Sequence, residues 1–163
     1  MNNAFSKING WIENGQKVCL WIGRAKLPHV GHIAYLKALH DLGYKLIIAN
    51  GSCYTLDPRN PIHAFQIQVM LGLSLMNEGL REDDFTFIPL PDFDKDEDWR
   101  NYLTAMPHFD KISAIATGND WVLSALADKI SGATIIGLDL VKPAIPISAT
   151  KLREALRDNN LDV

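Results

Sequence analysis

The chain has 163 residues, with 16 Lys and Arg against 19 Asp and Glu and a formal net charge of −3. A chain of this order forms one domain able to bury a full core, and its near-balanced charge argues against a general nucleic-acid binder, which carries a clear basic excess. Hydrophobic residues at 47% and charged residues at 21% exclude a disordered chain.

The first expected element is a short amphipathic helix near the N-terminus, where Phe5, Ile8, Trp11 and Ile12 recur at helical spacing. Near-continuous apolar runs follow at 18–23, 45–50, 85–90, 112–117 and 134–138, and read as strands covered on both faces. Between them, 31–42, 61–77, 99–106 and 119–130 read as helices, and 149–159 as a last one. Residues 92–98 read as a loop. Strands alternating with helices predict a parallel sheet with right-handed crossovers. The expected division is an N-terminal extension over 1–17 and a single domain over 18–163.

The charge is unevenly spread. Residues 82–98 hold eight acids and one base, Lys95, which leaves 15 bases and 11 acids elsewhere. A basic remainder of this kind suits anion handling. Cys19 and Cys53 cannot build a disulfide framework and sit in apolar runs, so both are expected to be small buried hydrophobes. No apolar stretch approaches the roughly 20 residues of a membrane helix, and residues 1–16 lack the layout of a signal peptide. The expectation is a soluble cytoplasmic protein without a membrane or nucleic-acid partner. Association with further copies of the chain is compatible with the sequence and not specified by it.

In a parallel sheet, ligands bind outside the carboxyl ends of the strands, which directs attention to the loops after them. The first contains Gly23, Arg24, Lys26, His29, Gly31 and His32. Two histidines three apart straddle a glycine where a helix begins, and the free N–H groups and positive dipole end of a helix suit phosphate. Imidazole N–H groups add directional donors. Two solvent-exposed loop histidines are the plainer alternative. The loop after the fifth strand contains Ser148, Thr150 and Arg153, with hydroxyls and a guanidinium converging on a helix start. It is either a second anion site or an ordinary capped helix.

Taken together, His29-x-Gly31-His32 and Ile147-Ser148-x-Thr150-x-x-Arg153 resemble the HxGH-signature nucleotidyltransferase superfamily, over residues 18–157. Within it the chain is most similar to nicotinamide-nucleotide adenylyltransferase of the short archaeal-like type. Gly23-Arg24, Gly51-Ser52, Arg59-Asn60-Pro61, Ile88-Pro89-Leu90-x-Asp92 with Trp99, and Thr117-Gly118-Asn119 resemble further motifs of that family. The family pattern departs at Ala25, where phenylalanine is usual, at Pro28, which directly precedes His29, and at Gln66-Ile67, which replaces a Glu-Arg pair.

The resemblance implies a Rossmann-like, doubly wound five-stranded parallel sheet in one domain. It implies transfer of AMP from ATP to nicotinamide mononucleotide or its nicotinate form, with Mg²⁺ bound mainly through the ATP phosphates. His29, His32 and Arg153 would be catalytic. Gly23, Arg24, Lys26, Gly31, Ser148 and Thr150 would bind ATP, and Gly51, Ser52, Asp92, Trp99, Gly118 and Asn119 the acceptor. Trp99 would stack on the pyridinium ring or pack in the core. Asn119 would hold a ribose or amide or cap its helix, and Trp121 would serve as packing or pocket wall. Two other readings are a related transferase acting on phosphopantetheine, glycerol phosphate or a flavin precursor, and a non-catalytic nucleotide sensor.

Overall fold

The computed structural model describes residues 2–57, 62–126, 129, 132–137, 152, 154 and 155. The apolar runs form five strands: β1 Val18–Gly23, β2 Lys45–Gly51, β3 Phe85–Leu90, β4 Ala114–Ala116 and β5 Thr134–Ile136. All pair in parallel in the order β3-β2-β1-β4-β5. The order reverses beside β1, and the switch point lies between β1 and β4. This is the expected Rossmann-like sheet.

Alternation along each strand splits the core in two. Val18, Leu20 and Ile22 of β1 face one cluster, while Cys19 and Trp21 face the other. Helices α2 Val30–Asp41 and α3 Ala64–Asn77 cover the second face with Leu36, Leu39, Ile67, Leu71 and Leu75. The first face is covered by α1 Asn2–Glu13, α4 Asp96–Thr104 and α5 Asp120–Leu126, through Ile8, Trp11, Leu103, Val122 and Leu126. The N-terminal helix therefore contributes to the main core. Both cysteines are free and buried.

Several boundaries differ from expectation. Helix α4 begins at Asp96, so Asp96, Glu97 and Asp98 form its first turn and only residues 91–95 remain as loop. Acids there meet the positive end of the helix, which overrides their loop-like composition. Helix α3 begins at Ala64, where Gln66 Oε1 accepts from the His63 backbone N–H at 3.2 Å. Gln66 thus closes the helix start and Ile67 is fully buried, a local structural use for both departing residues. Strands β4 and β5 are three residues each, shorter than their apolar runs. Of the last expected helix, Leu152, Glu154 and Ala155 are helical, and the remainder lies outside the described residues.

Opposite the ligand-binding edge, a polar knot joins β2 to the turn before β3. Lys45 Nζ lies 2.7 Å from Asp84 Oδ1, and Arg81 donates its backbone N–H to Asp84 Oδ2 at 2.7 Å. Burial disfavours the Asp84 charge, but Lys45 and Arg81 outweigh it and hold the carboxyl well below the usual carboxylate range. Asp84→Asn keeps the shape and removes the charge facing Lys45. It is expected to cost about 2 kcal/mol, the scale of a buried charge-assisted hydrogen bond, in chemical denaturation.

Candidate active site

A cavity of about 660 Å³ opens over the carboxyl ends of the strands, at the switch point. The loop after β1 supplies Gly23, Arg24 and His29, α2 supplies Gly31, His32 and Tyr35, and the ends of β2 and β3 supply Gly51, Ser52 and Asp92. Trp99, Thr117, Gly118, Asn119 and Trp121 close the far side.

The histidine pair is built by the helix start. His29 is the N-cap of α2, with extended backbone, and its Nδ1 accepts from the Gly31 N–H at 3.2 Å. That bond requires Nδ1 to lack a proton, so the neutral ring carries its hydrogen on Nε2. His32 lies one turn on, with the two ring centroids 3.8 Å apart. Burial, and then the neighbouring His29, push the His32 imidazole down to about 4. Burial lowers His29 as well. Two close imidazoles at a helix N-terminus are thus neutral at pH 7 and available as N–H donors. Nδ1 of His32 is buried and has no hydrogen-bond partner among the described residues.

Trp21, which the sequence reading did not single out, packs edge-on against His32 with centroids 6.1 Å apart. A side chain at Gly23 would have its Cβ 2.3 Å from the Trp21 ring, so glycine is required for the strand to pass. A Cβ at Gly51 would come within 3.3 Å of the Arg24 side chain. Tyr35 donates its hydroxyl to the Ile136 carbonyl at 2.8 Å and ties α2 to the end of β5.

The loops after β1, β2 and β3 are laced together by polar contacts. Asn50 Oδ1 accepts from the Ala25 N–H at 2.7 Å. Lys26 is 3% exposed and donates to the Ser52 carbonyl. Ser52, in turn, has a left-handed backbone with φ of 54°. Its hydroxyl donates to Asp92 Oδ1 at 2.7 Å, and the Thr55 hydroxyl donates to Asp92 Oδ2 at 2.6 Å. Burial works against the Asp92 charge, but those hydroxyls, Arg24 and Lys26 hold its carboxyl below the ordinary value. Lys26 is therefore a brace between loops and does not line the cavity.

At the other end, Trp99 is 8% exposed and belongs to the core, yet it also lines the cavity. The packing role is observed, and the ring also borders the cavity. Asn119 Oδ1 accepts from the Trp121 N–H at 3.0 Å, the cap geometry. The cavity thus gathers His29, His32, Gly23, Arg24, Gly31, Gly51, Ser52, Asp92, Trp99, Gly118 and Asn119. Ser148, Thr150, Arg153 and the segment 59–61 lie outside the described residues. The described residues contain no group of three or more His, Cys, Asp or Glu placed to hold a metal ion, and no helix among them is long and apolar enough to cross a membrane.

Comparison with known proteins now adds to this geometry. The chain is 31% identical over 141 residues to the nicotinamide-nucleotide adenylyltransferase of Thermococcus kodakarensis, with 84% of this chain and 71% of that protein covered. The chain belongs to the nicotinamide-nucleotide adenylyltransferase family. It is therefore a nucleotidyltransferase by descent. The Thermococcus onnurineus member is likewise 31% identical, again over 84% of this chain and 71% of that protein. A bifunctional NMN adenylyltransferase/ADP ribose pyrophosphatase from Francisella tularensis shares the fold, with a TM-score of 0.73 at 21% identity over 88% of this chain. A second structure of such a protein from that organism, complexed with AMP and a Mn ion, gives 0.74 at 23% identity. The chain spans 43% and 42% of those two bifunctional chains. No family model matches the sequence.

Proposed function

We propose that the chain transfers AMP from ATP to a pyridine mononucleotide, giving the dinucleotide and pyrophosphate. The observation that carries this reading is the neutral His29–His32 pair on the α2 N-terminus, facing one cavity whose far wall is aromatic. The acceptor phosphate is already a nucleophile at neutral pH. One of its oxygens forms a bond to the α-phosphorus as the bond to the β-phosphate bridging oxygen breaks, and pyrophosphate leaves with that electron pair. No general acid or base is needed. The protein's task is alignment and stabilisation of developing charge.

In this reading His29 and His32 donate to the α-phosphate and its neighbours, beside the free N–H groups of α2. Gly23 and Gly31 let the phosphates approach the backbone, and Arg24 adds a cation at the rim. Ser148, Thr150 and Arg153 hold the β- and γ-phosphates. The acceptor lies along Gly51, Ser52, Gly118 and Asn119 with its ring on Trp99. Mg²⁺ supplied with ATP would neutralise charge on the triphosphate and would be held mainly by phosphate oxygens and water. This fits the two carboxylates on the cavity wall. Asp92 is engaged by Ser52 and Thr55, and Asp96 by Trp121. A cytoplasmic location suits an ATP-consuming enzyme.

Pyrophosphate release tests the reading. The expected result is release with ATP, Mg²⁺ and nicotinamide or nicotinate mononucleotide, abolished by a chelator. Release only with phosphopantetheine, glycerol phosphate or a flavin mononucleotide would overturn the acceptor assignment. ATP binding without release in any mixture would overturn catalysis.

A further inference from the structure

Eleven large hydrophobic side chains are exposed among the described residues, and five of them stand on α3: Phe65, Val69, Met70, Leu73 and Met76. Phe65 is 74% exposed and Leu73 59%. Phe65, Val69, Leu73 and Met76 recur every third or fourth residue, so they form one stripe along a helix about 21 Å long. On the other side of α3, Ile67, Leu71 and Leu75 are fully buried in the core. Residues 64–77 contain no Asp, Glu, Lys or Arg. A helix that is apolar all round and free of charge has the pattern of an element covered on both sides, yet the chain itself covers one. Beside the stripe, a groove of about 590 Å³ lies between α2 and the C-terminal end of α3. Pro28, Val30, Ile33, Ala34 and Ala38 give it an apolar wall, and Lys37 on its rim is paired with Asp41 at 2.7 Å.

We propose that this face is an interface between two copies of the chain, packed about a two-fold axis with their α3 helices antiparallel. A two-fold contact uses the same patch on both partners, which must then fit itself. This face carries both a ridge and a groove, so the ridge of each copy meets the groove of the other. Across the axis Phe65 comes opposite Met76, and Val69 opposite Leu73. A second copy also brings an equally uncharged stripe, so no charge is buried along it. A lipid surface fits less well, because helices that lie on membranes carry Lys and Arg on their polar face and α3 has neither. The exposed parts of the five side chains amount to roughly 500 Å² on each copy, so pairing removes roughly 1,000 Å² or more from water, the scale of a specific interface. The groove reaches His29, which also lines the active-site cavity. The interface therefore backs onto the wall that carries the histidine pair. Such pairing lies beyond the adenylyltransferase reading and needs no assumption about the reaction.

Sedimentation velocity on the full chain tests the interface. The wild type is expected to run as a dimer at about 50 µM, with a Kd of about 1–10 µM. Leu73→Glu would bury an unpaired charge at two places in the contact, and should raise that Kd at least about a hundredfold and leave mostly monomer. The position is exposed in the single chain, so the variant should keep the far-ultraviolet circular dichroism of the wild type. Leu73→Met retains the apolar surface and should remain a dimer. A wild type that stays monomeric at about 50 µM, or a dimer that Leu73→Glu leaves intact, would overturn the interface. Monomers that co-sediment with phosphatidylcholine or phosphatidylserine vesicles would assign the face to lipid and overturn it as well.

Discussion

His32→Ala is expected to lower kcat by about 10²–10³-fold, the scale for removing one preorganised donor from developing transition-state charge. The KM for ATP should change far less, because the helix N-terminus and the remaining phosphate donors still hold the ground state. Near-normal turnover in the variant would remove His32 from the chemistry. The same residue carries a pH signature in the free protein. Its imidazole is pushed down to about 4 from an ordinary value of 6.5. A base with a depressed folded-state value binds fewer protons when folded than when unfolded between those two values. Stability therefore rises with pH from about 4 to 6.5, is fully present above 6.5, and is lost as the solution is acidified through that window. The shift corresponds to about 3 kcal/mol at most. Thermal unfolding from pH 7.5 to 4.5 should show a steeper loss in the wild type than in His32→Gln. Parallel curves would reject this account.

Gly23→Ala is the second large effect. The added carbon would stand 2.3 Å from Cζ2 of Trp21 and 2.6 Å from Cη2, distances at which something must move. Trp21 is 4% exposed in the core under α2, so its ring cannot swing freely into solvent. It also braces the edge of His32. Overpacking of this kind costs about 1–3 kcal/mol, and displacement of a catalytic group by about 1 Å can cost about 10²-fold in rate. The expectation is a clear drop in Tm together with a kcat loss of that order. Trp21→Leu in the Gly23→Ala background frees the space and should restore stability relative to the sum of the two single changes. Strict additivity would show that the two residues do not meet.

The element pattern was legible because burial on both sheet faces writes itself as unbroken apolar runs, as in Val18–Gly23. The α4 boundary was not, because the acids Asp96–Asp98 satisfy a helix dipole that exists only once the helix does. Likewise, Gly31 and the two histidines announced a phosphate-suited helix start, while nothing local announced Trp21. Its signal was only a tryptophan two residues before a glycine, and its meaning depended on a ring folding back over the strand. Lys26 illustrates the reverse case. A lysine in a phosphate loop has the composition of a ligand, yet its stem is buried and its ammonium is spent on the Ser52 carbonyl.

By itself, the sequence determined the alternating architecture, the family and the two histidines that face the phosphates in the proposed reaction. The architecture follows from periodicity, and the family and the histidines from a resemblance carried by short motifs at both ends of the domain. The tertiary structure alone decided which residues meet across elements distant in the chain. It placed Trp21 against His32, braced Asp92 with Ser52 and Thr55, and brought Asp96 to the indole of Trp121 from 25 residues away. Such meetings arise from the sheet order and helix packing, which bring separate loops to one edge, and no sequence separation encodes them.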